Sequence, residues 1–223
     1  MASKPTRRRR ELELHRAVAS GDVEETSRLL SAGVDPNCMG ESSRNFKYAF
    51  TALCAAIHAV AQTYSQLKVD ATLREAMPGV RVVETDYAAL RANCIEIIGR
   101  LIAAGADPDR RTFSRTPLSL AAWAGDNEVV KTLLDAGASP AGEGWSPYSS
   151  LPRPKGGLAF CNNAIHEATL KGHTEVVRLL CERGADVPAR DHEGKTALVI
   201  ARERGHADIV RLLEKYEETH VAS

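Results

Sequence analysis

The sequence predicts an all-α fold assembled from repeated helix–turn–helix units. Three observations carry this expectation. Aromatic residues make up only 5% of the 223 residues, and alanine and leucine do most of the packing. That vocabulary suits close helix–helix contact better than a β-sandwich. Four leucine-rich turns end at a glycine, in "RLLSAGVDPN", "RLIAAGADPD", "TLLDAGASPA" and "RLLCERGADVP". Upstream of them lie short segments with a small-residue face: "ELHRAVASGD", "TALCAAIHAV", "TPLSLAAWAGD" and "NAIHEATLKGH". A fifth, "TALVIARERGH", precedes "ADIVRLLEKYEE".

Each element has a local reason. Alanines on the first helix of a unit let a neighbouring helix approach closely. Gly33, Gly105, Gly137 and Gly184 end the second helix, because glycine adopts the left-handed conformation past a helix end without a Cβ clash. The chain resembles the ankyrin repeat family in these residues. The family pattern is a β-turn, a T-P-L-H-x-A-A helix, a glycine turn, a V-V-x-x-L-L helix and G-A-D. Residues 115–140 and 191–217 fit it nearly without gaps. The resemblance covers residues 11–217 and implies an all-α ankyrin-repeat solenoid of five repeats, at 11–37, 38–109, 110–140, 141–188 and 189–217. Residues 1–10 read as a basic disordered tail and 218–223 as a C-terminal tail. Glu25 and Thr26 stand where inner repeats place valine or isoleucine, and Glu214 where others place leucine, isoleucine or cysteine; both substitutions suit capping repeats with one solvent-facing side.

Glycine spacing locates the departures. Gly105 to Gly137 is 32 residues, whereas Gly33 to Gly105 is 72 and Gly137 to Gly184 is 47. The fourth repeat carries the extra loop "GEGWSPYSSLPRPKGGLAFC", and the second opens on "CMGESSRNFKYAF". In the second, 33 further residues separate "TALCAAIHAV" from "CIEIIGRLIAAG". No T-P-L-H or G-A-D signature lies between Val60 and Asn93, so residues 60–93 read as a helical insertion rather than a degenerate repeat. Leu90, Cys94, Ile97, Ile98 and Leu101 share one face of the returning helix.

Catalytic and metal chemistry find little support. No GxSxG, HExxH, Walker or GxGxxG sequence is present. Gly156-Gly157 lacks the strand–loop–helix context of a phosphate cradle. Five cysteines with no CxxC spacing point to reduced thiols, and Cys161, His166 and His173 match no zinc spacing. His15 and His166 occupy the T-P-L-H histidine slot, where the resemblance implies a hydrogen bond to neighbouring backbone. No cofactor and no metal is expected. Lysine plus arginine equals aspartate plus glutamate at 29 each, so the whole chain carries no bias toward nucleic acid. Arg7 to Arg10 nevertheless admit a nuclear import patch in a eukaryotic host, or a nucleic-acid arm. With no membrane span and no secretory signal read from the sequence, a cytoplasmic monomer is expected.

What remains is surface. In an ankyrin solenoid the two positions before each glycine turn face the concave side. Here these include His58, Trp123, Leu170, Lys171, Glu203 and Arg204. The hairpin before Trp123 adds Arg111, Phe113 and Arg115, and the long loops add Tyr48, Trp145 and Tyr148. Tryptophan and arginine dominate binding hot spots, so the sequence predicts a non-catalytic module that docks a protein partner on this face, as an adaptor, inhibitor or immunity-type subunit. Trp123 is the expected anchor, flanked by Arg111, Phe113 and Leu170. Two alternatives stand beside it: an enzyme or enzyme subunit with a pocket between the loops and the helical insertion, and nucleic-acid binding through the arginine-rich tail and hairpin.

Overall fold

The computed structural model describes residues 6–40, 50–63, 86–112, 115–141, 163–191 and 193–221. They belong to two compact units, Met1–Arg110 and Arg111–Ser223. The first holds α1 (Arg7–Ser20), α2 (Val23–Ser31), α3 (52–63) and α4 (Tyr87–Ala103). The second holds α5 (Pro117–Ala124), α6 (Asn127–Asp135), α7 (Ala164–Lys171), α8 (Thr174–Glu182), α9 (Ala197–Arg204) and α10 (Ala207–Val221). The architecture is helical, and the β-structure among the described residues is confined to isolated antiparallel bridges at the hairpins: Met39–Thr51, Thr112–Arg115 and Arg190–Thr196.

One local grammar builds each helix pair. The first helix of α1–α2, α5–α6, α7–α8 and α9–α10 ends on a left-handed glycine: Gly21, Gly125, Gly172 or Gly205. Asp22 and Asp126 then cap the second helix, their carboxylates accepting from Glu25 N and from Glu128 N and Val129 N. In the second unit α5, α7 and α9 pack side by side as an inner layer, with α6, α8 and α10 behind them. Leu118, Val130, Leu133, Ile165, Val177, Leu180 and Ile209 fill the space between the layers with 0 or 1% of their surface exposed. The first unit closes in the same way on Leu14, Val18, Leu29, Leu53, Ile57, Ile97, Ile98 and Leu101, all buried.

Polar side chains stitch one repeat to the next. His15 Nε2 lies 3.1 Å from Cys38 O, and His166 Nε2 lies 3.0 Å from Ala189 O. Each spans 23 residues to the following hairpin, the structural role implied for that slot. In the first unit, Asn37 Nδ2 donates to Gly105 O at 2.9 Å while its Oδ1 accepts from Asp107 N at 2.8 Å.

Several expectations are corrected. Arg7–Arg10 are not tail: they form the first turn of α1, with Thr6 as N-cap. The reason is local pairing, Arg7 with Glu11 at 2.8 Å and Arg9 with Glu13 at 3.1 Å, one helical turn on. At the other end α10 runs through Val221, into the expected 218–223 tail, because no glycine follows Gly205 to stop it. Thr26 faces the core rather than solvent, fully buried, its hydroxyl donating to Asp22 O at 2.6 Å. Glu25, by contrast, is outside the core and paired with Arg28.

The insertion has a visible origin. In α3, Val60 occupies the place that a capping glycine holds elsewhere, and the helix continues to residue 63, where the described segment stops. On the return, α4 has 17 residues against nine in α6 and α8. Val60, Ala61 and Thr63 are buried, so the core of the first unit extends into the predicted 60–93 boundary. Residues 64–85 lie outside the described residues.

Candidate interaction surface

Trp123 sits in the last turn of α5, just beyond the fully buried Ala121 and Ala122. Several devices fix this helix in length and direction. Pro117 opens it, where its lack of an N–H costs nothing. Thr116 and Ser119 form a reciprocal capping box, with Ser119 N donating to Thr116 Oγ1 at 3.1 Å and Thr116 N to Ser119 Oγ at 3.0 Å. Gly125, at φ +77°, ends the helix two residues past Trp123. A Cβ at Gly125 would overlap the imidazole of His173, which comes across from the following repeat and bonds Trp123 O through Nε2 at 3.2 Å.

The indole therefore projects from a clamped helix end and is only half-buried. Two cations face its ring: Arg115 Cζ lies 5.4 Å from the ring centroid and Lys171 Nζ lies 4.9 Å from it. Both distances are within the range of cation–π attraction. Arg115 also pairs with Glu167, whose Oε1 is 3.3 Å from the guanidinium. The Glu167 side chain is 2% exposed, a carboxylate inside the inner layer that the arginine helps to compensate.

Among the other predicted residues, Leu170 is half-buried and Lys171 exposed at the end of α7. Glu203 and Arg204 are exposed at the end of α9, with Glu203 held by Lys195 at 2.8 Å. Arg111 is exposed in the hairpin; the cations over the tryptophan are Arg115 and Lys171. In the first unit, His58 is half-buried, stacked on Phe50 with centroids 6.2 Å apart and ring planes at 10°, and its Nε2 is 3.0 Å from Gln62 Nε2. Burial holds the His58 pKa below its ordinary value. Phe113, Tyr48, Trp145, Tyr148 and Cys161 lie outside the described residues.

Glu167 and His173 were not among the sequence-predicted surface residues. The signal for Glu167 was present: a carboxylate stands where α5 has Leu120 and α9 has Ile200, both buried. The signal for His173 was the Gly-His dipeptide, repeated at Gly205-His206.

For other chemistry, His166 and His173 each spend Nε2 on a backbone carbonyl. Among the described residues no group of three or more His, Cys, Asp or Glu could hold a metal ion. Cys38, Cys54, Cys94 and Cys181 are buried, and burial pushes the Cys38 and Cys181 thiols up to about 11. Two surface depressions are lined by Thr6, Arg8, Arg9, Leu12, Glu13 and Arg16, and by Thr174, Glu175, Arg178, Asp208, Arg211 and Leu212. Neither contains a serine, cysteine or histidine to pair as nucleophile and base. No helix among the described residues is long and apolar enough to cross a membrane.

Comparison with known proteins agrees with the grammar of the fold. Family models described as ankyrin repeats match residues 86–134 and 153–222. The cyclin-dependent kinase 4 inhibitor B of Bos taurus is 30% identical over 120 residues, covering 53% of this chain and 81% of that protein. The chain belongs to the ankyrin repeat family. The probable E3 ubiquitin-protein ligase XBOS33 of Oryza sativa is 37% identical over 94 residues, and the E3 ubiquitin-protein ligase XBAT33 of Arabidopsis thaliana 42% identical over 93. In each case the match spans only 16% of the plant protein's length. Ankyrin repeats generally mediate protein–protein interaction and are generally non-catalytic.

Proposed function

We propose that this chain is a non-catalytic docking module that binds a protein partner along the C-terminal ends of its inner helices and their hairpins, with Trp123 as anchor. The observation that carries the reading is a half-buried indole outside the core, clamped at its backbone by His173 and faced by Arg115 and Lys171. Such a side chain offers large apolar area with little conformational freedom left to lose on binding, the profile of an interface hot spot. Relatives named as a kinase inhibitor and as ubiquitin ligases fit an inhibitor or adaptor role. The arginines of α1 favour the docking reading over a nucleic-acid arm, since Arg7, Arg8 and Arg9 are paired with Glu11 or Glu13. Quantitative affinity purification from the native host, with wild type and Trp123→Ala side by side, tests the proposal. A set of proteins retained by wild type and lost from the variant is expected; identical sets would refute it.

A further inference from the structure

The inner row of the second unit is uneven in charge. Ala124, Lys171 and Arg204 hold the same place in successive repeats, directly before Gly125, Gly172 and Gly205. Lys171 and Arg204 are exposed and enter no ion pair among the described residues. Arg111 and Arg190, in the hairpins of the same unit, are likewise exposed and enter no ion pair among the described residues. Three carboxylates of this row and its hairpins are already engaged. Glu167 is buried against Arg115, and Glu193 and Glu203 share Lys195 at 3.1 and 2.8 Å. The row thus presents several unmatched cations beside one apolar ring.

We infer that the partner segment is acidic: an extended stretch of protein in which aspartates or glutamates flank an apolar side chain, the apolar group resting on Trp123 and the carboxylates meeting Lys171 and Arg204. Lys171 serves both contacts, since its ammonium already lies 4.9 Å from the indole centroid. A carboxylate arriving there neutralises a cation already positioned by the ring, so little side-chain entropy remains to be lost. A nucleic-acid backbone fits less well. Its evenly spaced phosphates would meet Glu193 and Glu203, which share a single lysine, whereas a protein segment can place an apolar or basic residue opposite them.

The inference rests on the docking reading, and the test separates the two. A random twelve-residue phage-displayed peptide library is selected against the folded full-length chain. Selected peptides are then measured by fluorescence anisotropy against wild type, Trp123→Ala, Lys171→Glu/Arg204→Glu and the milder Lys171→Ala, each checked for native circular dichroism. Peptides rich in Asp and Glu around one apolar residue are expected. Trp123→Ala should weaken them about 30-fold. The double charge reversal should weaken them about tenfold and Lys171→Ala about threefold, with both losses shrinking at high salt. Neutral or basic peptides that still depend on Trp123 would overturn the acidic partner while leaving the docking surface in place. Peptides indifferent to Trp123, or no enrichment at all, would overturn both. A labelled single-stranded oligonucleotide that binds more tightly than the selected peptides, and is lost on the charge reversal, would overturn the inference in favour of phosphate.

Discussion

Trp123→Ala removes an indole whose ring neighbours, Arg115 and Lys171, both reach solvent. The folded state should therefore lose less than ~1 kcal/mol, within reach of ordinary surface substitutions. Val130→Ala, in the same repeat but with none of its surface exposed, leaves a cavity between α5 and α6 and should cost about 2 kcal/mol. Thermal melts of the two variants check the contrast, and an early melt for Trp123→Ala would move that residue into the core. Glu167 makes a second residue-level case. Its slot is Leu120 in α5 and Ile200 in α9, so Glu167→Leu replaces a buried carboxylate with the apolar side chain its neighbours use. That change should be neutral or stabilising, whereas Arg115→Ala strips a buried carboxylate of its cation and should cost about 2 kcal/mol. Urea denaturation of both variants tests the ordering. The tryptophan was legible because it breaks a pattern of small residues. Its cation neighbours were legible only in part, since Lys171 comes from the next repeat and the repeat pattern fixes rows rather than the rotamers that bring two rows together.

Among the elements, α5 shows how the repeat signature becomes geometry. Gly125 does two things at once: it takes a φ of +77° and it leaves room for the His173 ring. Gly137 takes a φ of +91° with open space around it. Gly137→Ala should thus cost only the backbone strain, about 1 kcal/mol, while Gly125→Ala should cost measurably more because His173 must also give up its bond to Trp123 O. Paired denaturant titrations read the difference; equal costs would mean that His173 is not a clamp. Helix identities along the chain were readable from the glycine-closed leucine turns. Their limits at α1 and α10 were not, because helix extension there depends on i,i+4 pairs such as Arg7–Glu11 and on the absence of a stop. The same logic explains α3, where Val60 replaces a capping glycine and lets the helix run on.

For the whole chain, pH dependence follows from the buried histidines. Burial is the leading cause that pushes His15 and His166 below their ordinary value of 6.5, so both are held neutral in the folded state. The unfolded chain then takes up more protons as pH falls through 6.5, and stability is lost from there down to the lower folded values. Unfolding free energy should be smaller at pH 5.5 than at pH 7.5, and the gap should narrow in His15→Gln/His166→Gln, as measured by urea denaturation at ~25 °C. At this scale the family and the helical class were legible in the sequence, because they rest on a repeated local pattern. The partner was not, because repeat surfaces vary one residue at a time without altering the fold. The docking claim is met most directly by calorimetric titration of the partner recovered from the native host into wild type and into Trp123→Ala. The account predicts an affinity loss of about 30-fold for a variant that melts with wild type. Unchanged affinity in that variant would contradict it.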